Sequence, residues 1–161
     1  MSTNIANHTA TTDQVDVRGP RFAAWITTAV LFSVLVVSAF STTAAAVILA
    51  AQAAVFAVGA VAGPRRHPYG RVFANLVSPR LAPATEREPV QPLKFAQLVG
   101  LLFAIVGVAG FVFVAPLVGI TATAFALAAA FLNAAFGICL GCMLYPLATR
   151  LRRVPVIELG S

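Results

Sequence analysis

Two stretches of the chain, Phe22 to Pro64 and Phe95 to Thr149, contain no Asp, Glu, Lys or Arg. A helix needs about 20 apolar residues to cross a hydrocarbon core about 30 Å thick. Each stretch is therefore long enough for two crossings and the turn between them. Ser41-Thr42-Thr43 supplies a polar turn in the first, and Pro116 and Gly119 mark one in the second. The pattern predicts helices at about 22–40, 44–63, 95–114 and 122–147. The predicted fold is an all-α membrane protein: an antiparallel four-helix transmembrane bundle spanning residues 18–150, with cytoplasmic tails at 1–17 and 151–161 and a central cytoplasmic loop at 64–94.

Composition agrees with this reading. Apolar residues make up 60% of the 161 positions and charged residues 10%. A soluble domain this small would have to build its surface from the two uncharged runs. The lipid bilayer is thus the expected solvent. The basic residues cluster in three places: Arg18 and Arg21, the segment from Arg65 to Lys94, and Arg150 with Arg152 and Arg153. Under the positive-inside rule this places both termini and the central loop in the cytoplasm, as expected of a multi-pass inner-membrane protein. The net charge of +6 then reflects topology and lipid contact, not a nucleic-acid partner. Arg18 and Arg21 before an apolar run ending in Val37-Ser38-Ala39 also resemble a secretory leader. The run is longer than a usual leader core and another helix follows at once, so it reads as a retained span. Residues 1–17, rich in Ser, Thr, Asn and Asp, read as a disordered tail.

The central loop predicts a short interfacial helix opening at Pro68 and ending before Pro79, with Val72, Phe73, Leu76 and Val77 at helical spacing. Arg65, Arg66, Arg71 and Arg80 flank it. Such a segment suits the headgroup layer, its apolar face in lipid and its arginines on anionic phosphates; a basic docking surface for a soluble partner is the functional alternative. Pro79, Pro83, Pro89 and Pro92 keep the rest extended.

The predicted spans hold no ionisable side chain apart from cysteine and tyrosine, which argues against proton relays, ion-coupled transport and voltage sensing. His8 and His67 lie outside them and read as solvated; no metalloprotease or Ser-His pattern is present. The polar residues that remain are Gln52, Gln97 and Asn133. Gln52 and Asn133 fall near the middle of their predicted helices, which favours a hydrogen bond between helices two and four over a polar substrate site. Gln97 is expected at the level of Cys142 and Tyr145.

The two cysteines of the chain stand three residues apart, in Phe136-Gly-Ile-Cys-Leu-Gly-Cys-Met-Leu-Tyr145. On a continuous helix Asn133, Gly137, Gly141 and Tyr145 form one stripe containing a G-x-x-x-G motif, while Cys139 and Cys142 face nearly the opposite way. The glycines then offer a seam for packing or homo-oligomerisation. The cysteines would lie in the inner leaflet, reached from the cytoplasm, where a permanent disulfide is not expected. Pro146 removes the N–H that would bond the Cys142 carbonyl and loosens the helix there. A continuous helix, however, puts the pair toward its negative end, which disfavours thiolate; thiol chemistry would need the helix to open near Gly137 or Gly141. Inert packing remains an alternative. Two cysteines alone fall short of a metal or iron–sulfur site, so no metal and no cofactor is expected. Quinone-linked disulfide formation, as in other four-helix membrane oxidases, normally uses a second cysteine pair to reach substrate, and the chain has none.

Five segments together resemble one bacterial family: Val15–Phe22, Ala51–Phe56, Gly63–Arg71, Phe95–Gly100 and Phe131–Cys142. They are similar to the small integral membrane proteins grouped as domain of unknown function 4395, widespread in actinobacteria, over about residues 15–150. The resemblance implies that Gln52, Gln97, Asn133, Cys139 and Cys142 belong to the family pattern. Relatives encoded beside thioredoxin-like or sulfurtransferase proteins imply such a protein as partner. The sequence thus supports a cytoplasmic-leaflet dithiol, with Cys142 as attacking and Cys139 as resolving thiol, in thiol–disulfide or sulfur transfer. The competing reading is a non-catalytic scaffold or complex subunit assembled through the glycine seam.

Overall fold

The computed structural model describes residues 14–83 and 85–152. Four helices are long and apolar enough to cross a membrane. They are α1 (Arg18–Ser38), α2 (Thr42–Ala62), α4 (Val90–Ala109, extended by a π-helical turn at Gly110–Val114) and α5 (Pro116–Phe136). A short helix, α3 (Pro68–Val72), continues as a π turn at Phe73–Val77 and a 3₁₀ turn at Ser78–Arg80. A final helix, α6, covers Leu140–Arg152. Strands β1 (Gln14–Asp16) and β2 (Arg87–Pro89) pair antiparallel, with Val15 opposite Glu88.

Local chemistry sets the boundaries. Ser41 caps α2, its side chain accepting from the Ala44 N–H at 3.2 Å. Ala115 is extended and Pro116 occupies the first turn of α5, where its missing N–H costs nothing. Pro116 therefore starts the fourth span, and the helix expected from residue 122 begins six residues earlier. It also stops earlier, at Phe136, because Gly137 takes a left-handed conformation with φ of 71°. α1 and α4 likewise begin before their predicted starts. Residues 14–17 are not part of a disordered tail: β1 lies on β2, and the Asp16 carboxylate accepts from the Arg18 guanidinium at 2.9 Å. The rest of the expected tail, with His8, lies outside the described residues, as does the chain beyond Arg152.

Leu31 and Val34 of α1, Ala45 and Leu49 of α2, Ala104 and Phe111 of the α4 segment and Ala126 of α5 form the buried centre. Small residues let the helices approach closely, the usual source of cohesion where lipid removes the hydrophobic incentive to pack. Phe32, Val61, Phe113 and Leu117 point outward and are largely exposed. A belt of this kind on every long helix fits a bilayer and not water.

The two ends of the bundle differ sharply. At one, residues 39–41 join α1 to α2 and Ala115 alone joins α4 to α5. The other, the loop end, carries β1, β2, α3, α6 and every described Lys and Arg.

Candidate thiol site at the loop end

The left-handed Gly137 divides the predicted cysteine helix in two. Cys139 stands immediately before α6: its carbonyl accepts from the Met143 N–H at 3.0 Å, and its Sγ accepts from the Cys142 N–H at 3.2 Å. The sulfur thus occupies the place of an N-cap side chain, satisfying one of the unpaired donors of a helix start. Cys139 and Cys142 are joined as a disulfide, with Cα atoms 5.2 Å apart, and both are half-buried. The two sulfurs are thus bonded in this structure, while the sequence reading concerns only a permanent disulfide on the cytoplasmic side. The dipole argument also reverses: Cys139 lies at the positive end of α6, which favours thiolate.

The break removes the glycine stripe as well. Asn133 and Gly137 end α5, whereas Gly141 and Tyr145 belong to α6. Gly141 still serves close packing, within the subunit: a Cβ there would lie 2.6 Å from Ala96 Cα of α4. Tyr145 stacks edge-on against Phe95, ring centres 6.0 Å apart. Helix α6 therefore folds onto α4 instead of prolonging α5. Pro146 lies inside it, four residues after Cys142. Leu140, Met143, Leu144, Leu147 and Leu151 form an exposed apolar face, which suits the membrane interface.

A polar cluster lies across the same end. Gln52 is buried, and its Oε1 accepts from the Tyr69 hydroxyl at 2.8 Å. The expected Gln52–Asn133 bond does not form, because the shifted boundaries move Asn133 to the end of α5, where its carbonyl receives the Gly137 N–H. His67 is not solvated: it is 3% exposed and its ring meets that of Tyr69 edge-on, centres 5.2 Å apart. Gly59 makes room for it, since a Cβ there would fall 2.6 Å from His67 Cδ2 and 2.8 Å from Gln97 Oε1. Among the described residues neither His67 nitrogen has a hydrogen-bond partner, nor does Gln97 Oε1. The loop helix also turns inward more than its sequence pattern indicates. Phe73 is buried against Phe22, whereas Val72 and Leu76 remain exposed. Arg66 and Arg71 are exposed; Arg65 donates to the Gln14 carbonyl at 3.1 Å and Arg80 to the Leu76 carbonyl at 2.6 Å.

Burial lowers the His67 pKa, against a smaller upward pull from the Gln97 amide, which faces the imidazole closely enough to favour its protonated form without closing a hydrogen bond of full geometry. The imidazole is thus neutral at pH 7 in the fold, while the unfolded chain binds a proton below about pH 6.5. The sign follows: stability is retained above that pH and lost as pH falls below it, because the unfolded state then holds more protons. Unfolding in detergent micelles should show this acid slope in the wild type and a flatter one in His67→Gln.

Cys139, His67, Gln97 and Asn133 all line one cavity of about 650 Å³. Its inner walls are apolar, from Phe56, Gly100, Phe103 and Ala126, and Arg65 and Arg87 stand in its wall as well. Sequence reasoning missed His67 and Tyr69; the signal was a buried amide, Gln52, that needed a donor.

The profile for domain of unknown function 4395 matches residues 15–150. The chain belongs to this family, DUF4395. Comparison with curated proteins and with solved structures returned no match. The DUF4395 profile spans the four long helices, the cysteine pair and the polar cluster together. Among the described residues no group of His, Cys, Asp or Glu could hold a metal ion.

Proposed function

We propose that this DUF4395 protein is a membrane dithiol that exchanges with a soluble thioredoxin-like protein on the cytoplasmic side of a bacterial inner membrane. The observation that carries the reading is the position of Cys139 at the start of α6, its sulfur accepting the Cys142 N–H. Cys139 is then the attacking thiol and Cys142 the resolving one, the reverse of the order expected from a continuous helix. The basic groups at the loop end, Arg66 and Arg71 among them, give a partner of acidic surface something to dock against. The sidedness rests on those same charges. The same thiolate could carry sulfane sulfur from a sulfurtransferase. Assembly through a glycine stripe is less well supported, since Gly137 and Gly141 sit on different elements.

The test uses sealed inverted membrane vesicles. Maleimide should label Cys139 and Cys142 only after reduction, from the cytoplasmic side, and diamide should close the pair again. Cysteines that neither label nor re-form a disulfide in folded protein would remove this reading.

A further inference from the structure

Building on the exchange role of Cys139 and Cys142, we propose that the cavity beside them binds an isoprenoid quinone, which accepts the electrons the dithiol collects. Three independent features converge on this ligand. First, the cavity presents unpartnered polar atoms of neutral side chains: the nitrogens of the 3%-exposed His67 and the Oε1 of Gln97. The neutral imidazole has one N–H to donate to a quinone carbonyl, and the amide oxygen can accept from a quinol hydroxyl, so both redox forms are served. Groups of this kind are costly to leave unpaired in a buried site, so a ligand that pairs them gains from it. Second, Cys139 lines the same space, placing the disulfide on the wall of the pocket.

Third, the cavity adjoins an apolar groove on the outer side of the bundle. It shares Val99, Phe103 and Phe125 with a second groove of about 630 Å³ between α4 and α5. That groove is bordered by Leu102, Val106 and Leu117, which are all at least half exposed on the outer face of the bundle. A long apolar tail lying in that groove would enter the polar pocket past the paired Phe103 and Phe125 rings, 6.3 Å between centres. A phospholipid, whose phosphate Arg65 and Arg87 in the same wall would attract, is the competing occupant and leaves the neutral groups of His67 and Gln97 without a matching head.

The chemistry balances in two steps. A reduced partner gives two electrons and two protons to the Cys139–Cys142 disulfide, opening that S–S bond and closing its own. The resulting dithiol then passes two electrons and two protons to the quinone: the S–S bond re-forms and both quinone carbonyls become hydroxyls. No second cysteine pair is needed, because the partner reaches Cys139 directly.

The full-length protein in quinone-free phospholipid vesicles, reduced and kept anaerobic, decides the matter. A fully substituted benzoquinone with a decyl tail, which thiols cannot add to, should be reduced with saturation, one quinone per two thiols lost. Gln97→Leu and His67→Ala should each slow this step about tenfold or more, with diamide closure of the same variant as the reference rate. If His67→Ala fails to fold, Gln97→Leu decides. Protein that exchanges with thioredoxin but never oxidises with quinone overturns the quinone site and leaves the exchange role standing. So do rates unchanged in folded variants, or a phospholipid that alone fills the cavity and is not displaced by quinone. Failure of both diamide closure and thioredoxin exchange instead overturns the exchange role.

Discussion

Cys142→Ser will trap a covalent adduct between Cys139 and a thioredoxin-like partner supplied in oxidised form, as an activated mixed disulfide on its one remaining active-site cysteine, visible as a shifted band on a non-reducing gel, whereas Cys139→Ser will trap little or none. The asymmetry follows from α6. An attacking thiol must be deprotonated, and only the Cys139 sulfur sits where a helix start supplies a free N–H and the positive end of the dipole. That placement is worth about 0.3–2 kcal/mol, and each 1.4 kcal/mol is tenfold in thiolate population. Once Cys139 has formed the mixed disulfide, Cys142 at a Cα separation of 5.2 Å is within reach to displace the partner. Serine at 142 cannot do so, and with a partner whose one remaining active-site cysteine carries an activated mixed disulfide no thiol is left on either side to resolve the adduct, which persists. We expect about tenfold more adduct from Cys142→Ser than from Cys139→Ser. The opposite pattern would make Cys142 the attacker.

The second large effect concerns folding. Gly110→Ala should destabilise the bundle by about 3 kcal/mol, the upper part of the range for overpacking. The added methyl would strike the Gly119 nitrogen and come within 2.9 Å of Gly119 Cα and Val118 C. All three are backbone atoms of α5, so no rotamer change can relieve the clash. Gly100→Ala is the informative comparison. The atoms nearest its Cβ would be those of the Phe56 ring, at 3.0–3.2 Å, and a ring can tilt. Reversible unfolding in mixed micelles should separate the two; equal stabilities would show that α4 and α5 part more easily than their contact implies.

Both predictions depend on features of differing legibility. The spans and their pairing into hairpins could be read because hydrocarbon tolerates almost no charge, so the arginines bracket the apolar runs. Ser41 announced its turn in the same way. Pro116 carries two meanings: the residue that signals a turn also opens a helix, and the turn reading places the span six residues too late. That one shift put Asn133 at mid-membrane and ran the helix through Gly137. Glycine is common inside membrane helices, so nothing local distinguishes a packing glycine from a left-handed stop. The pairing of Tyr69 with Gln52 is long-range, and no periodicity in the loop encodes it. The β1–β2 ribbon joins three-residue strands too short to show an alternation.

The sparse end of the bundle bears on how the chain is made. With only residues 39–41 and Ala115 linking the helices there, each neighbouring pair can enter the bilayer as a closed hairpin, and no polar segment has to be dragged across. Among the described residues, that end offers almost no loop for a protease, an antibody or a sugar-transferring enzyme to grip.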